Sequence, residues 1–156
     1  AKVWRGLLDE ARERARDDLP FVLEGADRHG GALALARKGA KAAGVERLVR
    51  FTRGDARDFR PENDARFVVT NPPWGERLGE GEDLKESWRA LGNFLHERMG
   101  GGEAWVLSGN PQLPRLLGLK ADRRIPVKAG PVDCRWLRYP VRRRPGQSNP
   151  SDRRPV

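Results

Sequence analysis

The chain has 156 residues, the length of one domain or of part of one. Only 37% of its residues are hydrophobic and 34% are charged, which predicts a thin core. It contains no apolar run of the about 18 residues that a membrane helix needs, no signal peptide, and a single cysteine, which excludes an internal disulfide and a Cys-x-x-Cys metal site. We therefore expect no membrane and no metal, and a reducing, cytoplasmic setting.

The net charge of +9 indicates a polyanionic partner, because lysines and arginines on phosphates release condensed counterions. An arginine-rich protein without such a partner is the alternative. Residues 142–156 are rich in Pro, Ser and Arg, and we expect a basic tail or linker there.

The first third of the chain alternates helix and strand. Residues 3–16 have the apolar spacing of an amphipathic helix, and residues 21–26 form an almost continuous apolar run, typical of a strand covered on both faces. An alanine-rich helix is predicted over 30–43, with Gly44 at its end, and a second strand over 48–51.

The rest of the chain continues this alternation of strands and helices and then ends in a different pattern. Strands are predicted over 66–70 and 104–108, with a helix over 83–99 between them. The segments "RRIPV" and "VDCRWLRYPV", separated by "KAGP", predict an antiparallel hairpin. The expected fold is thus α/β, a parallel sheet with a C-terminal antiparallel hairpin.

Polar side chains follow three of the predicted parallel strands. Asp27, Asp55 and Asn71 each come just after a strand, where α/β proteins bind their ligands. Each alone is a common turn residue, but the set predicts a ligand site.

The loop "TNPPWGERLG", at the end of the third strand, carries the most specific signal. Pro72 and Pro73 fix the backbone, and each holds the residue before it extended, so the Asn71 side-chain oxygen and a neighbouring carbonyl can point to one place. Two such acceptors match the two hydrogens of an aromatic amine, and Trp74 offers a surface for stacking. A rigid turn with a core tryptophan is the plainer interpretation.

The motif resembles the (Asp/Asn/Ser)-Pro-Pro-aromatic motif of class I S-adenosylmethionine-dependent amino-methyltransferases. Together with "VWRGLLDEARERAR", "GADRHGGALALARKGAKAAGV", "RGDARDF" and "GLKADRRIPVKAGPVDC", it is similar to the THUMP-associated RNA guanine-N2 methyltransferases, and most closely to those that modify bacterial 23S rRNA. The resemblance implies a Rossmann-like fold, rRNA as partner in rRNA processing, and residues 1–141 as the C-terminal part of the methyltransferase domain.

The resemblance also implies roles for individual residues. For the cofactor, S-adenosylmethionine, it implies that Asp27 binds the ribose hydroxyls and that Asp55 and Ala56 lie beside the adenine, with Asn71 also near the cofactor.

For the reaction, it implies that Asn71, Pro72 and Pro73 hold the target amine and that Trp74 stacks on the base. Arg77 follows in the loop, where it either contacts an RNA phosphate or braces the loop through an acidic neighbour.

The chain departs from the family because its Gly-rich cofactor loop is absent. It also begins without Met, and we expect a fragment, truncated at its N-terminus, of a protein that carries this loop and an upstream THUMP domain. The fragment alone should be inactive.

Three other functions stay open. They are an adenine-N6 DNA methyltransferase, a tRNA guanine-N2 methyltransferase, and a non-catalytic RNA-binding remnant. His29 and His96 lack metal-ligand spacing, with His96 expected in solvent. We expect core positions for Cys134 and for the tryptophans at 4, 88, 105 and 136.

Overall fold

The computed structural model describes residues 2–61, 65–75 and 81–143, with the backbone alone for 81–83. The chain divides into two compact units, Ala1–Gly54 (unit 1) and Asp55–Val156 (unit 2). Each unit has its own sheet. Arg77 and residues 144–156 lie outside the described part, and so do the expectations placed on them.

Unit 1 contains the predicted strand–helix–strand repeat. Its elements are α1 (Lys2–Glu13), β1 (Leu23–Asp27), α2 (Gly30–Ala42) and β2 (Val49–Arg53). The strands pair in parallel, and α2 packs on both of them. Gly44 follows the helix with φ of 72°, a left-handed conformation that glycine adopts without a steric cost.

Two expectations for unit 1 are wrong. The apolar face of α1 was expected to be buried, but Val3 and Trp4 are 79% and 64% exposed. The first strand was expected to be covered on both faces, yet Leu23 is 41% exposed. The reason is that α2 is the helix packed on β1 and β2 in the described structure, and it covers one face.

Unit 2 contains the larger sheet. Its elements are β3 (Phe67–Thr70), α3 (Gly81–Arg98), β4 (Glu103–Ser108), a 3-10 helix (Leu113–Leu117), β5 (Arg123–Ala129) and β6 (Val132–Pro140). The strand order is β3-β4-β6-β5. β3 and β4 are parallel, whereas β6 is antiparallel to both β4 and β5. The predicted C-terminal hairpin is therefore present.

The core of unit 2 forms where α3 packs on one face of this sheet. Trp88 and Leu95 of the helix and Ala104 and Val106 of β4 are fully buried. Cys134 is buried, as expected, whereas His96 is half-buried rather than in solvent, since it lies beside Gly118. This core fixes both α3 and the loop that follows β3.

Candidate functional site

The loop after β3 is held by a hydrogen bond between two of its own predicted site residues. The Trp74 indole Nε1 donates to Asn71 Oδ1 at 2.9 Å. The side chain of Trp74 is half-buried and packs against the core of unit 2, whereas Asn71 is exposed. A carbonyl oxygen has two lone pairs, so Asn71 Oδ1 retains one for a further donor.

Helix α3 holds this loop through a hydrogen bond from one of its buried side chains. The Trp88 indole Nε1 donates to the Pro73 carbonyl at 2.7 Å, and the Trp88 side chain is fully buried. No described residue donates to the Pro72 carbonyl, so this oxygen stays available beside Asn71. The sequence placed Trp88 in the core but gave no sign of its bond to the loop, since the two residues are 15 positions apart.

Two glycines make room for this arrangement. Gly75 has φ of 99°, a left-handed conformation that only glycine adopts readily. Gly109 follows β4, and a Cβ there would lie 2.7 Å from Trp74 Cε3. The indole therefore lies directly against the Gly109 backbone, and a larger residue would displace it.

The second acidic strand end is bound by a neighbouring arginine. Asp55 Oδ1 accepts hydrogen bonds from the Arg57 backbone N–H and Nε, both at 3.0 Å, and Oδ2 accepts from Nη2 at 3.2 Å. Arg57 Nη1 also donates to Glu86 of α3 at 2.7 Å. The hydrogen bond to Asp55, followed by the charges of Asp55 and Glu86, raises the pKa of Arg57. Ala56 packs against the core.

Helix α3 thus connects both predicted site loops of unit 2. Glu86 binds the arginine that holds Asp55, and Trp88 binds the loop that carries Asn71. A single rigid element positions both loops. Neither contact was found from the sequence.

Asp27 belongs to unit 1 and ends β1. Its Oδ1 accepts a hydrogen bond from the His29 backbone N–H at 2.7 Å, and its backbone carbonyl accepts one from Gly54 N–H at 3.1 Å. The described residues provide no donor to the other carboxylate oxygen, Oδ2, and the side chain is half-exposed. The residue is therefore oriented by the turn, with one oxygen left for a hydroxyl donor.

Metal and membrane sites are lacking in the part of the chain that the structure describes. Within residues 2–61, 65–75 and 81–143, no group of three or more His, Cys, Asp or Glu side chains could hold a metal ion. Over the same residues, no helix combines the length and apolarity needed to cross a bilayer.

A family model described as UPF0020, the RMKL-like methyltransferase domain, matches residues 1–138. The chain belongs to this family. One similar curated relative is the ribosomal RNA large subunit methyltransferase K/L of Syntrophotalea carbinolica, 36% identical over 148 residues. The match covers 90% of this chain but 21% of the relative, so the chain spans about a fifth of that protein's length.

Solved structures confirm the predicted methyltransferase fold. A possible methylase from Clostridium difficile 630 matches with a TM-score of 0.77 and 26% identity, over 94% of this chain and 38% of that one. A predicted N6-adenine-specific DNA methylase from Listeria monocytogenes matches with a TM-score of 0.69 and 29% identity, over 88% of this chain and 35% of that one.

Proposed function

We propose that this chain is part of an S-adenosylmethionine-dependent enzyme that methylates the exocyclic N2 amine of a guanine in 23S rRNA. The observation that carries the proposal is the braced loop after β3, where Asn71 Oδ1 and the Pro72 carbonyl both keep acceptor capacity. Membership of a methyltransferase family and the name of the ribosomal RNA relative support the reaction and the substrate.

The loop would act on the nitrogen of the target amine. The lone pair of an aromatic amine is shared with its ring, which makes the nitrogen a poor nucleophile. When Asn71 Oδ1 and the Pro72 carbonyl accept hydrogen bonds from its two N–H groups, a more tetrahedral nitrogen with a localised lone pair is favoured. Because this geometry resembles the transition state, the two acceptors stabilise the transition state more than the ground state.

Trp74 would have two tasks. Its N–H fixes the Asn71 amide by the 2.9 Å hydrogen bond, which removes the cost of orienting that side chain during the reaction. Its indole surface would stack on the guanine, an interaction worth about 1–3 kcal/mol per base. The target base would have to leave its own stack to reach the loop.

The cofactor would bind through the acidic strand ends. S-adenosylmethionine supplies a methyl group activated by a positive sulfur. Asp27 Oδ2, which has no hydrogen-bond donor among the described residues, suits a ribose hydroxyl. Asp55, with Ala56 beside it, must accept an adenine amine in addition to Arg57. The chain has no Gly-rich loop for the methionine part.

The longer protein would complete the site. Because the chain spans about a fifth of its ribosomal RNA relative, we propose that the Gly-rich cofactor loop and an RNA-binding THUMP domain lie in the rest of the natural protein. The chain by itself would not catalyse methyl transfer. The whole protein would act in the cytoplasm.

A second candidate is methylation of adenine N6 in DNA. It is favoured by the likeness to the predicted N6-adenine-specific DNA methylase of Listeria monocytogenes, which is 29% identical to this chain. Adenine also presents an exocyclic amine, so the loop after β3 accommodates either base.

The products of the full-length natural protein test the proposal. The protein would be incubated with labelled S-adenosylmethionine and unmodified 23S rRNA, tRNA or DNA, and the methylated nucleosides identified by mass spectrometry. We expect N2-methylguanosine from 23S rRNA. N2-methylguanosine from tRNA alone would change the substrate, and N6-methyladenine from DNA alone would establish the second candidate. No transfer to any of the three, with RNA still bound, would indicate a non-catalytic RNA-binding protein.

A further inference from the structure

A cleft in unit 2 has no role in the chemistry proposed above. It encloses about 560 Å³ beside the loop that follows β4. Its cationic side chains are Arg115, Lys120, Arg124 and Arg135, against one acidic residue, Asp133. We call this cleft the basic groove.

The sheet places two of these arginines on one face. Arg124 of β5 lies opposite Leu137 of β6, and Arg135 of β6 lies opposite Pro126 of β5. Because side chains alternate along a strand, residues 124 and 126 share a face, and so do 135 and 137. Arg123 precedes Arg124 and points to the opposite face.

Among the described residues, the cations of the basic groove have no ion-pair partner, unlike two other arginines of unit 2. Arg57 is paired with Asp55 and Glu86, and Arg138 with Glu103 and Asp122.

By contrast, none of the four groove cations forms an ion pair or a side-chain hydrogen bond with a described residue. Asp133 lies 3.8 Å from Lys128 instead. The described lining residues therefore give the groove a net positive charge and a positive potential.

The groove begins next to the proposed target site. Ser108 and Gly109 line it, and Gly109 is the residue against which the Trp74 indole lies. The loop between them and Arg115 is ordered by its own hydrogen bonds. Ser108 Oγ donates to the Asn110 carbonyl at 2.8 Å, and Asn110 Oδ1 accepts from the Gln112 N–H at 2.8 Å.

We propose that the basic groove binds the phosphates of the RNA strand next to the nucleotide that is methylated. Single-stranded nucleic acids bind where a positive groove follows the backbone beside an aromatic surface for a base, and this chain places the two side by side. The inference rests on the proposed function, since it takes the strand to be the RNA substrate.

The test measures binding of a labelled single-stranded RNA of about 20 nucleotides to this 156-residue chain by fluorescence anisotropy, at several salt concentrations. The groove variant is Arg124→Ala with Arg135→Ala. The control variant is Arg123→Ala with Arg89→Ala, which removes the same charge from exposed positions outside the groove.

The groove variant should bind about tenfold or more weakly at about 0.1 M salt, and the slope of log K against log salt should fall in magnitude by about 1.4. The control should keep the wild-type slope to within about 0.3. A second groove variant, Arg115→Ala with Lys120→Ala, should repeat the effect, because these two cations also line the groove. Circular dichroism checks that each variant is folded.

Equal losses in groove and control variants would show binding through overall charge and would overturn the proposal, as would a wild-type chain that binds no RNA. Tighter binding of single-stranded DNA of the same sequence would overturn the assignment to RNA. These results are separable from failure of the proposed function, since the binding assay contains no S-adenosylmethionine and does not depend on methyl transfer.

Discussion

The two units differ in how much of their predicted site they can organise alone. Among residues 2–54, the buried apolar side chains are Leu33 and Ala40, whereas unit 2 buries a continuous cluster between α3 and the sheet. The loop with Asn71 in unit 2 is accordingly tied to buried Trp88, while the Asp27 carboxylate in unit 1 accepts one hydrogen bond, from the local turn. We infer that a site residue is held rigidly where its loop is bonded to a buried core residue.

Replacing matched tryptophans tests this contrast most strongly. Trp88→Ala should lower the free energy of unfolding by about 3–5 kcal/mol, because it removes a fully buried indole and leaves a cavity. Trp4→Ala, whose side chain is 64% exposed, should change it by less than about 0.5 kcal/mol. Urea unfolding measures both. Similar losses at the two positions would show that α1 is packed in solution.

A matched pair of glycines should give effects of opposite sign. Gly109→Ala would place a Cβ 2.7 Å from the Trp74 ring and should destabilise the protein by about 1–3 kcal/mol. Gly39→Ala in α2, where a Cβ meets nothing within 4 Å, should stabilise it by about 0.5–1 kcal/mol.

The glycine pair is measured by thermal and urea unfolding. Because Gly109→Ala moves the indole that fixes Asn71, it should also slow methyl transfer in the full-length protein by about tenfold or more. Unchanged transfer would separate Trp74 from the reaction.

Tyr139 reports on the core of unit 2 through its titration. Burial raises its pKa to about 12. The unfolded chain loses this proton near its ordinary pKa of about 10, so the stability that Tyr139 contributes is present below about pH 10 and is lost as the pH rises towards 12. The loss is at most about 2–3 kcal/mol.

The chain has one tyrosine, so the ultraviolet absorbance of its phenolate gives the titration directly. The folded protein should titrate near pH 12 and the urea-unfolded protein about 2 units lower. A midpoint near 10 in the folded protein would mean that the core under Tyr139 is open to water.

The smallest effect is expected at the exposed ion pair of the Asp55 loop. Arg57→Ala should leave the urea midpoint unchanged within error, since exposed ion pairs contribute little. It should nevertheless alter the affinity of the full-length protein for S-adenosylmethionine, measured by calorimetry, because Arg57 occupies both oxygens of Asp55. An unchanged affinity would show that Arg57 does not orient Asp55 for the cofactor.

The sequence predicted the elements well and the supporting contacts poorly. Periodicity located the strands before Asp27 and Asn71 to within two residues, because alternating or continuous apolar runs are local signals. The predicted burial of β1 and α1 was wrong, since burial depends on packing partners that a local sequence pattern does not specify.

At the candidate site, too, the sequence identified the local motif but not the contacts between distant residues. The Pro-Pro-Trp motif identified the loop, because two prolines fix the backbone locally. The hydrogen bond from Trp88 to Pro73 and the contact of Gly109 with Trp74 join residues far apart in the chain, and no spacing rule predicts them. The bond from Trp74 to Asn71 is local but depends on side-chain rotamers.

In the proposed mechanism the Asn71 side-chain oxygen accepts a hydrogen bond from the target amine, and this bond is strongest in the transition state. The most direct test compares kcat for methyl transfer to 23S rRNA by the full-length protein, its Asn71→Ala variant, and Asn93→Ala as an exposed control on α3. We expect Asn71→Ala to lower kcat by about 100-fold or more with RNA affinity retained, and Asn93→Ala to match the wild type. An Asn71→Ala enzyme as fast as the wild type would contradict the account.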